Sequence, residues 1–195
     1  MPKSTKYTSA QQIVFAAQRL FFKQGLKKTS VESICLEAGL SKVTYYKHFK
    51  NKMQVALGVT QKLIDEGQHS FNRINQKDIS FQEKVKQIIA EKMANANKMG
   101  DAFISDLFTD QHTELISLMS EAAIQQKQFM LDFLKTGQQE GVIRKDISDE
   151  LLWFSLESLD HMVRESSLIS LMPDTKQRLK WALDFFFYGL GNPSK

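Results

Sequence analysis

Apolar residues recur along this chain at three- and four-residue spacing from near its start almost to its end, and no stretch alternates with the period of two that a half-buried strand requires. The pattern predicts nine helices. The first is capped by Thr8 or Ser9, buries Ile13, Val14, Ala17, Leu20 and Phe21, and stops at Gly25. A short second helix follows a Thr29/Ser30 cap through Val31, Ile34 and Cys35, and Ala38-Gly39-Leu40 turns the chain. Ser41 caps a third helix reaching about Phe49, and Asn51 starts a longer fourth with Met53, Val55, Leu57, Val59 and Ile64 around its faces. Ser80 and Glu83 have capping-box spacing at the head of a helix over 80–98, whose apolar side is Phe81, Val85, Ile88, Ile89 and Met93. A helix over 101–108 follows Gly100. Next come one over 111–138 (Leu115, Leu118, Met119, Ala122, Phe129, Phe133, Leu134) that ends at Gly137 or Gly141, one over 149–167 capped by Ser148, and a last over 174–190 before Gly191-Asn192-Pro193. With no repeat and no low-complexity tract, the fold class is all-α.

Composition sharpens this. Three Pro and nine Gly in 195 residues are few helix breakers, and 42% hydrophobic with 25% charged residues describes a globular chain. The single Cys35 excludes an intrachain disulfide and a cysteine metal cage, and fits a reducing compartment. The charged start, Met1 to Lys6, is followed by no signal-type apolar core, and no run approaches the roughly 18 apolar residues of a membrane span; the Phe185–Phe187 cluster is far too short. The expected location is the cytoplasm, with no membrane partner. The net charge of +4 conceals a split: residues 1–52 carry ten Lys/Arg against two acids, a net of +8, and residues 53–195 carry 16 against 20, a net of −4. One part is built for a polyanion and the other for something else.

Residues 29–52 supply the polyanion site. Two short helices around the Gly39 turn have the helix-turn-helix layout, in which the second helix enters the major groove of DNA. Tyr45 and Phe49, four apart, pack inward; Val43, Thr44 and Lys47 then point outward, with Tyr46 and His48 on the flanks. Methyl groups on Val43 and Thr44 suit thymine, and the hydroxyl, imidazole and ammonium groups suit phosphates and base edges.

The string Leu40-Ser41-Lys42-Val43-Thr44-Tyr45-Tyr46-Lys47-His48-Phe49-Lys50-Asn51-Lys52, preceded by Ala38-Gly39, resembles the recognition element of TetR-family regulators. So does the upstream run of Phe22, Gly25, Thr29 and Ile34. The likeness covers about residues 10–55. Two positions depart from the family pattern: Cys35 replaces a usual Ala, and Glu32 sits where some relatives use a basic or polar residue to reach DNA. The resemblance implies that Lys42, Val43, Thr44, Tyr46 and His48 lie in or beside the major groove, and that Ser30, Tyr46 and Lys52 hold phosphates. Ser41 at the helix start and Lys47 on the outer face complete the set, while Lys3 and Lys6 form at most an arm near the backbone. It further implies a DNA-binding domain over 1–52 and a regulatory and dimerisation domain over 53–195. Such a protein is a homodimeric repressor on a pseudo-palindromic double-stranded operator, released by a small-molecule effector.

In the larger segment, the last two helices present more large apolar groups than one internal face uses: Leu152, Trp153, Leu156, Leu159, Met162 and Val163 on one, and Leu179, Trp181, Leu183, Phe185, Phe186, Phe187, Tyr188 and Leu190 on the other. A dimer seam is their natural sink. Candidate effector contacts are Phe71, Phe103, Phe108, Met119, Phe129, Phe133, Trp153 and His161, which points to an apolar effector, or, given the segment's acidity, a cationic one. His112 and His161 lack companions at metal-ligand spacing, so neither metal nor cofactor is expected. Enzymatic function is not expected either. There is no phosphate-binding glycine loop and no Gly-x-Ser-x-Gly, and the acid pairs Asp65-Glu66 and Asp149-Glu150 read as solvated helix positions. The alternative reading keeps the fold and makes the larger segment a coactivator or protein-interaction module with no small ligand.

Overall fold

The computed structural model describes residues 7–108, 112–189 and 191; within the helices, nothing is described of the side chains of Phe108, Asp160, Arg164 and Tyr188. The described residues form eleven helices: α1 Ser9–Gln24, α2 Val31–Ala38, α3 Lys42–His48, α4 Lys52–Asn75, α5 Phe81–Lys98, α6 Asp101–Phe108, α7 Thr113–Gln125, α8 Lys127–Gln139, α9 Asp149–Arg164, α10 Ser166–Leu171 and α11 Thr175–Gly189. Among them there is no strand; one isolated antiparallel bridge joins Ile143 to Gly191. The class is all-α, with two more helices than the pattern predicts. The expected 111–138 helix is broken at Gln126, whose backbone (φ −91°, ψ 0°) ends one helix and starts the next. The expected 149–167 helix stops at Arg164, because Glu165 is extended and its side chain caps α10 by accepting from the Ser167 N–H.

Helix starts follow local chemistry. The Thr8 hydroxyl accepts from the Gln11 N–H while the Gln11 side chain accepts from the Thr8 N–H; Ser30 and Ser33 repeat the device at α2, and Ser148 caps α9.

The chain groups into two compact units, each with its own core. The first comprises Met1–Asp65 and Lys98–Met119. Its core joins Ile13, Ala17 and Phe21 of α1, Ile34 and Cys35 of α2, Tyr45 of α3, and Val55 and Val59 of α4 to Phe103 and Leu107 of α6 and Leu115 of α7. Compaction therefore runs past the boundary expected at residue 52. α4 continues unbroken through it, and α6 is drawn in because Phe103 stacks on Phe21 at 5.7 Å and the Gly100 N–H donates to the Phe22 carbonyl at 2.7 Å.

The second unit comprises Glu66–Asn97 and Ser120–Lys195. Phe81, Val85 and Ile88 of α5 pack with Leu131, Phe133 and Leu134 of α8, Leu152 of α9 and Phe186 of α11. Each such side chain contributes about 1.5–3 kcal/mol by leaving water. α8 approaches closely enough that a Cβ on Gly137 would lie 2.7 Å from the Phe81 ring, so Gly137 belongs to the packing, and of the two expected ends it is Gly141, at φ +71°, that follows the end of the helix. Arg178 is buried, and its guanidinium donates to the carbonyls of Val163 (3.1 Å), Met172 (2.6 Å) and Pro173 (2.7 Å) and to the Thr175 hydroxyl (2.9 Å). One side chain thus ties the ends of α9 and α10 to the start of α11.

Candidate nucleic-acid interface

The turn between α2 and α3 is made by Gly39 at φ +66°, ψ 32°, a left-handed conformation that a side chain would strain. The Leu40 N–H donates back to the Cys35 carbonyl at 3.0 Å, and the Ser41 hydroxyl then accepts from the Thr44 N–H to start α3. Tyr45 anchors that helix. It is fully buried, lies 6.0 Å from the Phe49 ring, and donates its hydroxyl to the Asn51 carbonyl at 3.2 Å; burial pushes its pKa up to about 12.

With Tyr45 inward, Val43 is 69% and Tyr46 54% exposed, and Lys42, Lys47 and His48 are exposed beside them. Thr44, expected fully outward, is half-buried and shares a 3.0 Å hydrogen bond with the Ser41 hydroxyl, so both hydroxyls are occupied within the turn. Ser30 is likewise occupied as the α2 cap. Glu32 forms an ion pair with Lys42, which crosses from α2 to α3. The hydrogen bond from Lys42, helped by the backbone N–H of Glu32 itself, pulls the Glu32 carboxyl down to about 2, and the same pairing raises Lys42.

Lys52 is held from below. Its ammonium donates to the carbonyls of Leu26 and Thr29, both at 2.7 Å, leaving one N–H of three for another partner, and partial burial lowers its pKa. Asp106 of α6 accepts from the Leu26 N–H at 2.7 Å. Lys52 and Asp106 thereby clamp the α1–α2 connection from two helices, beside a hollow of about 310 Å³ that His112 also lines. Asp106 lies 80 residues from Leu26, and no local pattern points to it. Leu36, 85% exposed on α2, was also outside the expected set; its sign is its position off the Val31–Ile34–Cys35–Ala38 stripe.

The candidate effector contacts separate. Phe103 is fully buried in the first unit, and Met119 is half-buried in that unit too. Phe71, Phe129 and Phe133 come together in the second, with Phe71 edge-on to Phe129 at 6.4 Å and to Phe133 at 5.1 Å. Trp153 is half-buried with the Lys127 ammonium 4.9 Å above its ring, and His161 is exposed. The Phe108 side chain lies outside the described residues. Of the apolar stripes on the last two helices, Leu152, Val163, Leu183 and Phe186 are buried within the unit. Leu151, Phe154, Trp181 and Phe185 are left exposed, the last two stacked at 5.4 Å. Tyr188 and Leu190 fall outside the described side chains.

A helix-turn-helix with a basic, exposed second helix on an all-α scaffold defines a DNA-binding transcription regulator. Residues 13–59 match the family model of bacterial regulatory proteins of the tetR family, so this segment is a DNA-binding unit of that type. The HTH-type transcriptional regulator YvkB of Bacillus subtilis (strain 168), itself uncharacterized, is 28% identical over 138 residues, 69% of this chain and 70% of the relative. Two solved structures share the fold. The transcriptional regulator FadR from Bacillus subtilis in complex with stearoyl-CoA has a TM-score of 0.65 at 19% identity, covering 92% of this chain and 98% of that one. SmeT, the repressor of the Stenotrophomonas maltophilia multidrug efflux pump SmeDEF, has a TM-score of 0.61 at 17% identity, covering 97% and 93%.

Proposed function

We propose that the protein is a non-enzymatic, cytoplasmic, homodimeric repressor whose paired α3 helices bind successive major grooves of a pseudo-palindromic operator. A small effector, bound by the segment beyond residue 52, releases it. The observation that carries the reading is the outer face of α3, where Val43, Tyr46, Lys47 and His48 are exposed on a segment of net charge +8. Lys42 and the remaining N–H of Lys52 add phosphate contacts, while Ser30, Ser41 and Thr44 shape the turn that presents them. Leu151, Phe154, Trp181 and Phe185 supply the dimer seam. Phe71, Phe129 and Phe133 line an apolar effector site, in keeping with the acyl ligand of the FadR neighbour. Release requires that the effector favour one of two conformations, with a coupling on the order of 1–3 kcal/mol.

Selection of duplexes from a random pool tests the DNA half. The wild-type chain enriches a two-fold symmetric sequence with half-sites one helical turn apart, and Tyr46→Ala weakens binding to that duplex by about 1–3 kcal/mol in a salt-controlled titration. Failure to enrich any sequence, or full-strength binding by Tyr46→Ala, refutes it.

A further inference from the structure

The hollow beside the Lys52–Asp106 clamp has walls of both charges. Its lining comes entirely from the first unit: the α1–α2 connection, the start of α4, α6, and His112 just ahead of α7. At about 310 Å³ it stands at the lower end of the range of small-molecule sites, roughly 300–1,000 Å³. Buried Leu26 and half-buried Met53 give it an apolar side.

Three polar groups on this hollow have bonding capacity to spare. Lys52 gives two N–H bonds to the carbonyls of Leu26 and Thr29 and keeps the third. Asp106 accepts the Leu26 N–H on Oδ2, and among the described residues nothing donates to its Oδ1. The His112 imidazole makes no hydrogen bond to a described residue. Lys52 and Asp106 form no ion pair with each other, yet they hold the carbonyl and the N–H of one residue, Leu26, each at 2.7 Å. The nitrogen and oxygen of a single residue are less than about 4 Å apart, so the two charges stand no more than about 9 Å apart. The ammonium and carboxylate of an α-amino acid, each at hydrogen-bond distance from its partner, span such a gap.

We infer that this hollow binds a small zwitterion, an amino acid with an apolar side chain, whose carboxylate takes the third N–H of Lys52 and whose ammonium donates to Asp106 Oδ1. The charges decide the class. A simple anion sets its charge against Asp106, and a simple cation sets its own against Lys52 and the exposed Lys27. A neutral molecule leaves both walls unanswered; a molecule carrying both signs pairs each of them. Leu26 and Met53 take the side chain, and His112 offers a donor or an acceptor to the head group. The N–H that the ligand occupies is the one offered to phosphate above. The bound amino acid therefore weakens operator binding from within the DNA-binding unit, not from the apolar site of the second unit. That consequence rests on the operator reading; the binding itself does not.

The test is calorimetric titration of the full chain, without DNA, with L-leucine, L-methionine and L-phenylalanine. The tightest of them is then compared with the deaminated acid and the decarboxylated amine that share its side chain. The amino acid binds at least about tenfold more tightly than either analogue. Asp106→Asn keeps a side-chain oxygen for the Leu26 N–H and removes the charge; it weakens the amino acid at least about tenfold and does not weaken the acid. No binding by any of the three, an analogue that binds as well as the amino acid, or full affinity in Asp106→Asn overturns the inference. The analogue comparison uses the wild-type chain, so it decides the matter even where the variant is unstable. In a duplex titration, saturating amino acid lowers the slope of log K against log salt by roughly 0.9 for each protomer. An unchanged slope overturns the competition for Lys52, whereas a chain that selects no duplex removes the operator reading and not the site.

Discussion

Glu32 shows how one side chain sets the electrostatics of the α2–α3 surface. Here a carboxylate holds Lys42, the first residue of α3, in an ion pair. Its pKa is depressed from 4.5 to about 2, so the stability it lends to the α2–α3 pairing is complete above about 4.5 and vanishes as the pH falls through about 2. An NMR titration is expected to place the Glu32 midpoint near 2, and Lys42→Met to return it toward the ordinary range. Glu32→Gln frees Lys42 for phosphate: DNA binding tightens and the slope of log K against log salt steepens by roughly 0.9, one added contact. An unchanged slope would show that Lys42 points elsewhere in the complex. Inward Tyr45 and outward Val43 and Tyr46 were legible from spacing alone. The engagement of Ser30, Ser41 and Thr44 with their own backbone was not, because a hydroxyl at a helix start serves a cap and a phosphate equally well in sequence.

At the scale of elements, the first unit depends on a clamp made by helices distant in sequence. Lys52 from α4 and Asp106 from α6 grip the segment between α1 and α2 by its carbonyls and its N–H respectively. Lys52→Met is expected to destabilise this unit by about 1–3 kcal/mol, the cost of leaving the Leu26 and Thr29 carbonyls without their charged donor, read as a lower urea midpoint with unchanged m-value. A loss of DNA affinity without any loss of stability would mean that the phosphate role dominates. Periodicity located nearly all of the helices, since most carry a continuous apolar stripe. It missed the break at Gln126 because residues 123–128 contain neither Gly nor Pro to mark it. It missed α10 because Ser166 and Ser167 read equally as a fraying end and as a new start capped by Glu165. The inclusion of α6 in the first unit depends on Phe103 meeting Phe21, a tertiary contact without local signature.

At the scale of the whole molecule, the apolar surplus of α9 and α11 divides cleanly. The stripes that sequence spacing singles out largely turn into the unit's own core; Trp181 and Phe185, expected among the surplus, are left uncovered together with Leu151 and Phe154, which were not. The surplus was visible in the sequence; which residues form it depends on helix rotation, which spacing alone does not fix. Phe154→Glu and Phe185→Glu are therefore expected to yield a folded monomer by analytical ultracentrifugation, with operator affinity reduced because two half-sites no longer bind as one. Unchanged dimerisation by both variants would move the seam elsewhere.

The chain's two tryptophans, Trp153 and Trp181, both fall in the second unit, whereas Tyr45 and Tyr46 lie in the first. Intrinsic emission excited at the red edge therefore comes from one unit alone. Trp153, under the Lys127 ammonium and beside the apolar core, reports on the interior. Trp181, 40% exposed and stacked on Phe185, reports on the uncovered face and shifts to the blue when that face is buried. Replacing either by Phe leaves a single-colour reporter, so the interior of the unit and its uncovered face can be followed separately, without a label and with DNA present.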